Sequence, residues 1–325
     1  MPDMDREPTV SVIIPAYNSE KFIGQAIESV LAQTYSQVEV VVVNDGSRDS
    51  TAKIIQKFCS TRRLIYIEQP NKGVSSARNT GIRNSVGELI AFLDHDDCWF
   101  PKKLESQVAF ILANPHIPWI HSNAHVDFNG SRRIVCWDTG VQGNSFKDLF
   151  VRNRIILSTV LLRRDCLEEV GLFNEGFGGA EDYDLWLRLA IRFPLGYIDE
   201  VLALYRVHDS NLSGDSFHMT DEDLRVIESV VRTVPDIYRL LGRRVIKERI
   251  GTLAYELAGW HMWKSRDDKL AKQYLWKAIK KRPTHLASYK RFVWCSLSPE
   301  QRRAFLWNWH KVKKAVKAVG QSDLV

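Results

Sequence analysis

TVSVIIPAYNSEKFIGQAIESVLAQ, residues 9–33, changes its hydrophobic period once. Residues 9–17 are a continuous apolar run rich in β-branched side chains, too short for a helix and suited to a strand buried on both faces. From there Phe22, Ile23, Ala26, Ile27, Val30 and Leu31 fall on one helical face, with Ser19 available as N-cap. The couplet recurs as VEVVVVNDGS (38–47) before DSTAKIIQKF (49–58), and LIYIEQ (64–69) and GELIAFLD (87–94) enclose a helix near VSSARNTGIRNS (74–85). Strand–helix alternation at this spacing predicts an α/β fold, a mostly parallel Rossmann-like sheet with helices on both faces.

Ligands of such sheets bind beyond the carboxyl ends of strands. The residues expected there are Pro15-Ala16-Tyr17, Asn44-Asp45-Gly46 and Asp94-His95-Asp96. The first strand is followed by PAYNSEKFIG, not GxGxxG, and there is no P-loop lysine motif. A dehydrogenase or P-loop NTPase is therefore excluded, and phosphates in this cleft would need a metal and side chains such as Arg78.

Asp94 and Asp96 form a D-x-D pair directly after a strand. Carboxylates this close repel one another unless a cation or water compensates. Mg²⁺ and Mn²⁺ prefer oxygen ligands and are held by one or two carboxylates plus substrate phosphates. The alternative use of an acid here is as helix N-cap, which suits Asp97 because Pro101 sits where a first helical residue would. Asp45 has two readings: an Asx turn, or a carboxylate accepting a base N–H. FGGAEDYDLWLRLA (177–190) places Glu181, Asp182 and Asp184 at the start of an amphipathic helix, where acids also serve the helix dipole.

VSVIIPAYN, VVVNDGSRDST, NKGVSSARNTGI, GELIAFLDHDD, EDYDLWLRLA and YRVHDSNLS follow one another in that order between residues 8 and 215. Together they resemble the family 2 glycosyltransferases, inverting enzymes of the GT-A nucleotide-diphospho-sugar fold. The resemblance implies a nucleotide-sugar donor, UDP-linked, and a glycan or glycolipid acceptor. It casts Asp45 as the uracil-binding acid, with Pro15, Ala16 and Tyr17 lining the base and ribose pocket. Asp94 would face the ribose or its phosphate, and Arg78 the base or phosphates. Asp96 would ligate Mn²⁺ or Mg²⁺, with His208 in a metal or phosphate role and Asp97 supporting. Glu181 and Asp182 match the catalytic signature, Asp182 as general base. A direct inverting displacement needs that base and a stabilised leaving group, and no nucleophilic side chain. Donor and acceptor specificity is expected between about His121 and Phe177.

Two rival functions remain: an inactive nucleotide-sugar binding module, and a sugar nucleotidyltransferase. The intact acids argue against the first, and the missing glycine-rich basic loop against the second. A processive synthase is disfavoured, because the chain shows neither membrane helices nor a Q-x-x-R-W signature.

At 325 residues the chain suits one large domain and an appendage. The catalytic domain is expected over residues 1–218 and a helical C-terminal extension over 219–325. Five scattered cysteines without a CxxC pair read as reduced thiols. No stretch of eighteen apolar residues and no signal-peptide pattern is present, so a cytoplasmic protein is expected. From His261 onward sixteen Lys and Arg face four Asp and Glu. Six of the ten tryptophans (Trp260, Trp263, Trp276, Trp294, Trp307, Trp309) fall in or beside this stretch. Residues 254–285 resemble one tetratricopeptide-like hairpin, and RRAFLWNWHKVKKAVKAVG reads as a basic amphipathic helix suited to an anionic membrane surface. No nucleic-acid motif accompanies the charge, so no nucleic-acid partner is expected.

Overall fold

The computed structural model of the protein describes residues 7–61, 63–128, 131–135 (backbone only), 142–208, 211 and 214–304. It forms two compact units, one up to Pro235 and one from Asp236.

The first unit is built on β1 (Val10–Ala16), β2 (Val38–Asn44), β3 (Leu64–Glu68) and β4 (Leu89–Phe92). They lie in the order β3-β2-β1-β4, all parallel. Every residue of β1 and nearly every residue of β2 is buried, which is why neither alternates apolar with polar. Val10, Val12 and Ile14 pack on Ile23, Ala26, Ile27 and Val30 of α1 (Ile23–Leu31). Ile13 points to the opposite face and meets Gly81 of α3 (Val74–Arg83). Helices therefore cover both faces, as the periodicity predicts.

The sheet continues through β8 (Leu161–Arg163), β6 (Trp119–Phe128), β9 (Leu195–Val207) and β5 (Cys98–Trp99), with β7 (Ser131–Val135) on β6. β6 and β9 are parallel, while β8, β5 and β7 pair antiparallel with their neighbours. α2 (Thr51–Gln56), α4 (Lys103–Ala113), α5 (Phe146–Val151), α6 (Arg164–Val170) and α7 (Glu181–Arg192) complete the crossovers, and α8 (Ser216–Thr233) packs on α7. The whole of α8 lies in the first unit. The second unit holds α9 (Ile237–Trp260), α10 (Asp268–Lys281) and α11 (Leu286–Ser296). Ala258, Met262, Ala271, Leu275 and Cys295 form its core, so the hairpin read from residues 254–285 is present as α9 and α10 with a third helix against it. The basic stretch from residue 305 lies outside the described residues.

Pro15 sits inside a central strand, where a missing N–H normally costs a ladder bond. The Ile13 carbonyl accepts from Leu93 N–H at 3.1 Å, so Ile13 faces β4, and Pro15, two residues on, faces the same way. β4 ends at Phe92, opposite Ile13, and the proline falls past that end. Ser19 does not cap α1 as the sequence suggests. Asn18 has φ 48°, and the turn it makes directs the Ser19 hydroxyl back to the Tyr17 N–H at 3.0 Å. The N–H groups of Phe22 and Ile23 reach only the Ser19 backbone carbonyl, each at 3.0 Å.

A Cβ on Gly81 would stand 2.5 Å from Ile13 Cγ2, so glycine lets α3 lie close on β1. Gly81→Ala is expected to destabilise by on the order of 1 kcal/mol net, overpacking outweighing the better helix propensity of alanine. Urea unfolding checks this; a more stable variant would show that the contact has slack.

Candidate active site

Arg78 joins three distant parts of the chain. It lies one turn before Gly81 on α3, and its Nη2 donates to Asp94 Oδ1 at 2.7 Å beyond the end of β4. Its Nη1 donates to Glu181 Oε1 at 2.5 Å at the start of α7. Arg78 is 4% exposed, and its guanidinium lies 5.3 Å from the centroid of the Phe173 ring. Burial alone would weaken its protonated form, but Asp94 and Glu181 more than reverse this and raise its pKa. Arg78 Nε and Glu181 Oε2 are buried without a hydrogen-bond partner among the described residues. Unspent donors and acceptors of this kind at a strand end suit a polar ligand.

Asp45 is held by the loop between β3 and α3. Its Oδ1 accepts from Gln69 Nε2 at 2.7 Å and Lys72 N–H at 2.9 Å, and its Oδ2 from Gly73 N–H at 2.8 Å. The Asx-type turn belongs instead to Asn44, whose Oδ1 accepts from Ser47 N–H at 3.0 Å. A carboxylate offers about four acceptor positions, so Oδ2 keeps capacity for one more N–H. Asp45 N–H donates to the Ala16 carbonyl at 2.8 Å, bringing Pro15, Ala16 and Tyr17 to the same edge. Pro15 and Ala16 are buried backbone of β1, while Tyr17 is 43% exposed beside them.

Asp96 and His208 meet: His208 Nε2 lies 3.0 Å from Asp96 Oδ2. His208 follows the last residue of β9, and its ring stacks on Phe22 at 5.0 Å. Asn211 Nδ2 donates to Asp96 Oδ2 at 3.2 Å and to the Arg206 carbonyl at 3.1 Å. Arg206 Nη1 donates to the Asp96 carbonyl at 2.8 Å, and its Nη2 to Gln25 Oε1 at 2.6 Å. Among the described residues no three His, Cys, Asp or Glu side chains converge as a metal cage. One carboxylate and one imidazole nevertheless fit a hard divalent ion that takes its remaining oxygens from a diphosphate and water. The sequence reading missed Asn211 and Phe22 here. The YRVHDSNLS motif carried Asn211, but Phe22 looked like one more apolar residue of α1.

Asp97 does not cap the helix that follows. It is fully buried, accepting from the Ser158 hydroxyl at 2.5 Å and from Arg206 N–H at 3.0 Å. Burial, then the charges of Asp96 and Asp94, push its carboxyl well above the usual range. α4 begins only at Lys103, too far along for Asp97 to reach.

Glu181 and Asp182 open α7, whose Leu185, Trp186, Leu187 and Leu189 are fully buried. Trp186 stacks on Trp119 of β6 at 5.8 Å, and Tyr183 Oη donates to the Leu149 carbonyl at 2.8 Å. Each such apolar side chain contributes roughly 1.5–3 kcal/mol, enough to fix a helix with three acids in its first turn. Asp184 is spent on Arg188, 2.8 Å away, which in turn donates to the carbonyls of Val170, Gly171 and Leu172. Among the described residues Asp182 accepts only from Tyr183 N–H, at 2.5 Å. Burial, then the neighbouring Glu181 charge, outweigh Arg78 and push its carboxyl up to about 7.

The site therefore gathers a carboxylate with a raised proton affinity, a carboxylate–imidazole pair and a buried arginine at one end of the sheet. Residues 11–169 match the family model "Glycosyl transferase family 2". A Rickettsia typhi uncharacterized glycosyltransferase is 32% identical over 222 residues, 66% of this chain and 69% of that protein. A longer relative from Rickettsia bellii is 38% identical, but only 30% of its length is spanned. The Escherichia coli protein WfgD, named UDP-Glc:alpha-D-GlcNAc-diphosphoundecaprenol beta-1,3-glucosyltransferase, is 33% identical over 73% of this chain and 92% of its own. Staphylococcus aureus TarS (residues 1–349) has the same fold: TM-score 0.65, 19% identity, 85% of this chain and 81% of that one covered. So does the Pyrobaculum calidifontis mannosyltransferase PcManGT, solved with GDP-Man and Mn2+: TM-score 0.58, 19% identity, 90% and 89% covered. The motif order, the GT-A sheet and these relatives agree, and the chain belongs to the family 2 glycosyltransferases.

Proposed function

We propose that this chain moves a sugar, with inversion, from a UDP-sugar to a hydroxyl of a glycan or glycolipid acceptor, using Mn²⁺ or Mg²⁺. The observation that carries the reading is the Arg78 bridge, which ties the D-x-D segment at Asp94 to the Glu181–Asp182 helix start. WfgD is named for a UDP-Glc donor and a diphosphoundecaprenol-linked acceptor, and TarS was solved with UDP-GlcNAc, which supports the donor class.

In this reading Asp45 accepts a base N–H, and Pro15, Ala16 and Tyr17 form the rim of the base and ribose pocket. Asp94, fixed by Arg78, faces the ribose or its phosphate. A divalent ion, when bound, lowers the cost of negative charge on the departing diphosphate, and Asp96 and His208 are the residues that would hold it. The acceptor oxygen attacks the anomeric carbon as its proton passes to an Asp182 carboxylate oxygen. The bond from that carbon to the diphosphate breaks, and the electron pair leaves with the nucleotide. Glu181 keeps Arg78 in place and its negative charge raises the proton affinity of Asp182.

A panel of nucleotide sugars, assayed for hydrolysis and transfer with Mn²⁺ and with EDTA, tests the donor and metal together. Asp96→Ala should lose metal-dependent UDP binding and lower turnover by at least about 10²-fold. Full activity in EDTA would overturn the metal reading.

Asp182 carries the second test. A base whose folded pKa lies near 7 must be deprotonated to work, so kcat/KM of the free enzyme should fall as pH drops through about 7. The same shift has a stability consequence. Its folded pKa is raised above the ordinary carboxylate value, so folding favours the protonated form, and this group's destabilisation grows between about pH 4 and 7. Asp182→Asn should therefore cut transfer by at least about 10²-fold and leave UDP affinity unchanged. Its melting temperature should match the parent near pH 4 and equal or exceed it at pH 8. A variant that transfers normally but melts lower would show a helix cap instead.

The second compact unit supports a membrane-surface role. Trp263 and Trp276 are 63% and 50% exposed, and Lys280 Nζ lies 5.4 Å from the Trp276 ring centroid. Among the described residues no helix is long and apolar enough to cross a bilayer. Exposed tryptophans among lysines suit the headgroup region of an anionic membrane, as would a lipid-linked acceptor. Removing residues 302–325 should weaken binding to phosphatidylglycerol vesicles while hydrolysis of a soluble donor persists. Equal binding to neutral and anionic vesicles would count against it.

A further inference from the structure

The segment Leu172–Ala180 joins α6 to the Glu181–Asp182 helix start, and it is gripped from two sides. On one side Asn79 of α3 accepts from Phe173 N–H at 3.0 Å and donates to the Phe173 carbonyl at 2.9 Å. On the other side stands α8, far along the chain and without a part in the mechanism above. Glu222 of α8 is 3% exposed, and its Oε2 accepts the Gly178 N–H at 2.9 Å. His218, with its proton on Nε2, donates to the carbonyl of the same glycine at 3.1 Å. Arg225 pairs with Glu222, donates to the Gly176 carbonyl at 3.0 Å and lies 5.6 Å from the Phe177 ring centroid. His218 is itself placed by the cap of α8, where Asp215 accepts its N–H at 3.1 Å.

Both polar groups of Gly178 are thus held by one helix, four residues before Asp182. The two glycines differ in a telling way. A Cβ on Gly178 would meet nothing within 4 Å, whereas one on Gly179 would stand 3.0 Å from His218 Nε2 and 3.5 Å from Met219 Sδ. An alanine at 179 would therefore push the His218 ring by a few tenths of an ångström, and one at 178 would not. A buried carboxylate is costly unless paired and hydrogen-bonded, so Glu222 is a strong local restraint.

We propose that α8 positions the general base: Glu222, with His218 and Arg225, fixes the loop from Gly176 to Ala180 and thereby the place of Asp182 against the acceptor. Glu222, His218 and Arg225 are positioning residues, and the proposal rests on Asp182 being the base. Small misplacement of a reacting group is enough to matter, since an error of about 1 Å can cost about 10²-fold in rate.

The test compares Glu222→Ala, Glu222→Gln, Gly178→Ala, Gly179→Ala and Asp182→Asn, using the donor that the nucleotide-sugar panel selects. Hydrogen exchange of the backbone over residues 174–182 is measured alongside kcat, donor KM and UDP affinity. Glu222→Ala and Gly179→Ala should speed exchange of this segment and lower kcat by at least about tenfold, with donor KM and UDP affinity within about twofold. Glu222→Gln keeps an acceptor for Gly178 N–H and should recover most of kcat; Gly178→Ala should behave as the parent. Full kcat in Glu222→Ala despite faster exchange, or loss of UDP affinity in step with kcat, overturns the proposal. If Glu222→Ala does not fold, the two glycine variants decide it alone. Asp182→Asn separates the claims: normal transfer there overturns the base and the positioning together, whereas a slow Asp182→Asn with a normal Glu222→Ala overturns the positioning only.

Discussion

One guanidinium closes this candidate site. Arg78 reaches Asp94, sixteen residues ahead, and Glu181, 103 residues ahead, from a position that is almost wholly buried. Taking such charges out of water costs several kcal/mol each, and only good geometry to two carboxylates offsets it. Removing the arginine would leave Asp94 and the buried Glu181 without their shared cation. The reach depends on packing one turn away, where Gly81 allows α3 to sit close on Ile13. Sheet, crossover helix and α7 are therefore fixed relative to one another by a contact that is polar at its centre and apolar around its rim.

The parallel strands and their helices were legible because burial on both faces forces unbroken apolar runs, as in VSVIIPA and VEVVVVN. The amphipathic period likewise gave the inner face of α1, Ile23, Ala26, Ile27 and Val30. Chain ends of elements were less legible. Ser19 looked like a cap, but a left-handed residue before it sent its hydroxyl to Tyr17. Asp97 looked like a cap because a proline follows at the right distance, yet it serves Ser158 and Arg206, 61 and 109 residues away. The residues that surround Asp96 and His208 illustrate the same limit. Phe22, Gln25 and Asn211 are scattered over 190 positions, and no local pattern says that they converge. The acids of the D-x-D were singled out because they are dense, and Glu181–Asp182 because they match a family signature; their neighbours carry no such mark.

The role of α8 was hidden for a related reason. Glu222, three positions from Arg225, reads on the sequence as an ordinary helix-surface ion pair. Its burial and its bond to Gly178 are set by the loop that comes against it, more than forty residues earlier. Long-range backbone partners leave no periodic trace, so an element can belong to a site without announcing it.

The acids of this cleft are chemically alike, and their surroundings rank them. Asp45 takes three donors and is the best satisfied as an anion. Asp94 is tied to a guanidinium, and Asp96 to an imidazole and an amide. Asp182 is half-buried with Glu181 beside it and, among the described residues, takes one donor, the Tyr183 N–H; desolvation and the Glu181 charge raise its proton affinity. A base that must collect a hydroxyl proton near neutral pH should be the least satisfied anion of the set, with a pKa close to the working pH. In the proposed mechanism Asp182 meets that requirement, and the hold of α8 on the loop before it then serves the chemistry as well as the fold.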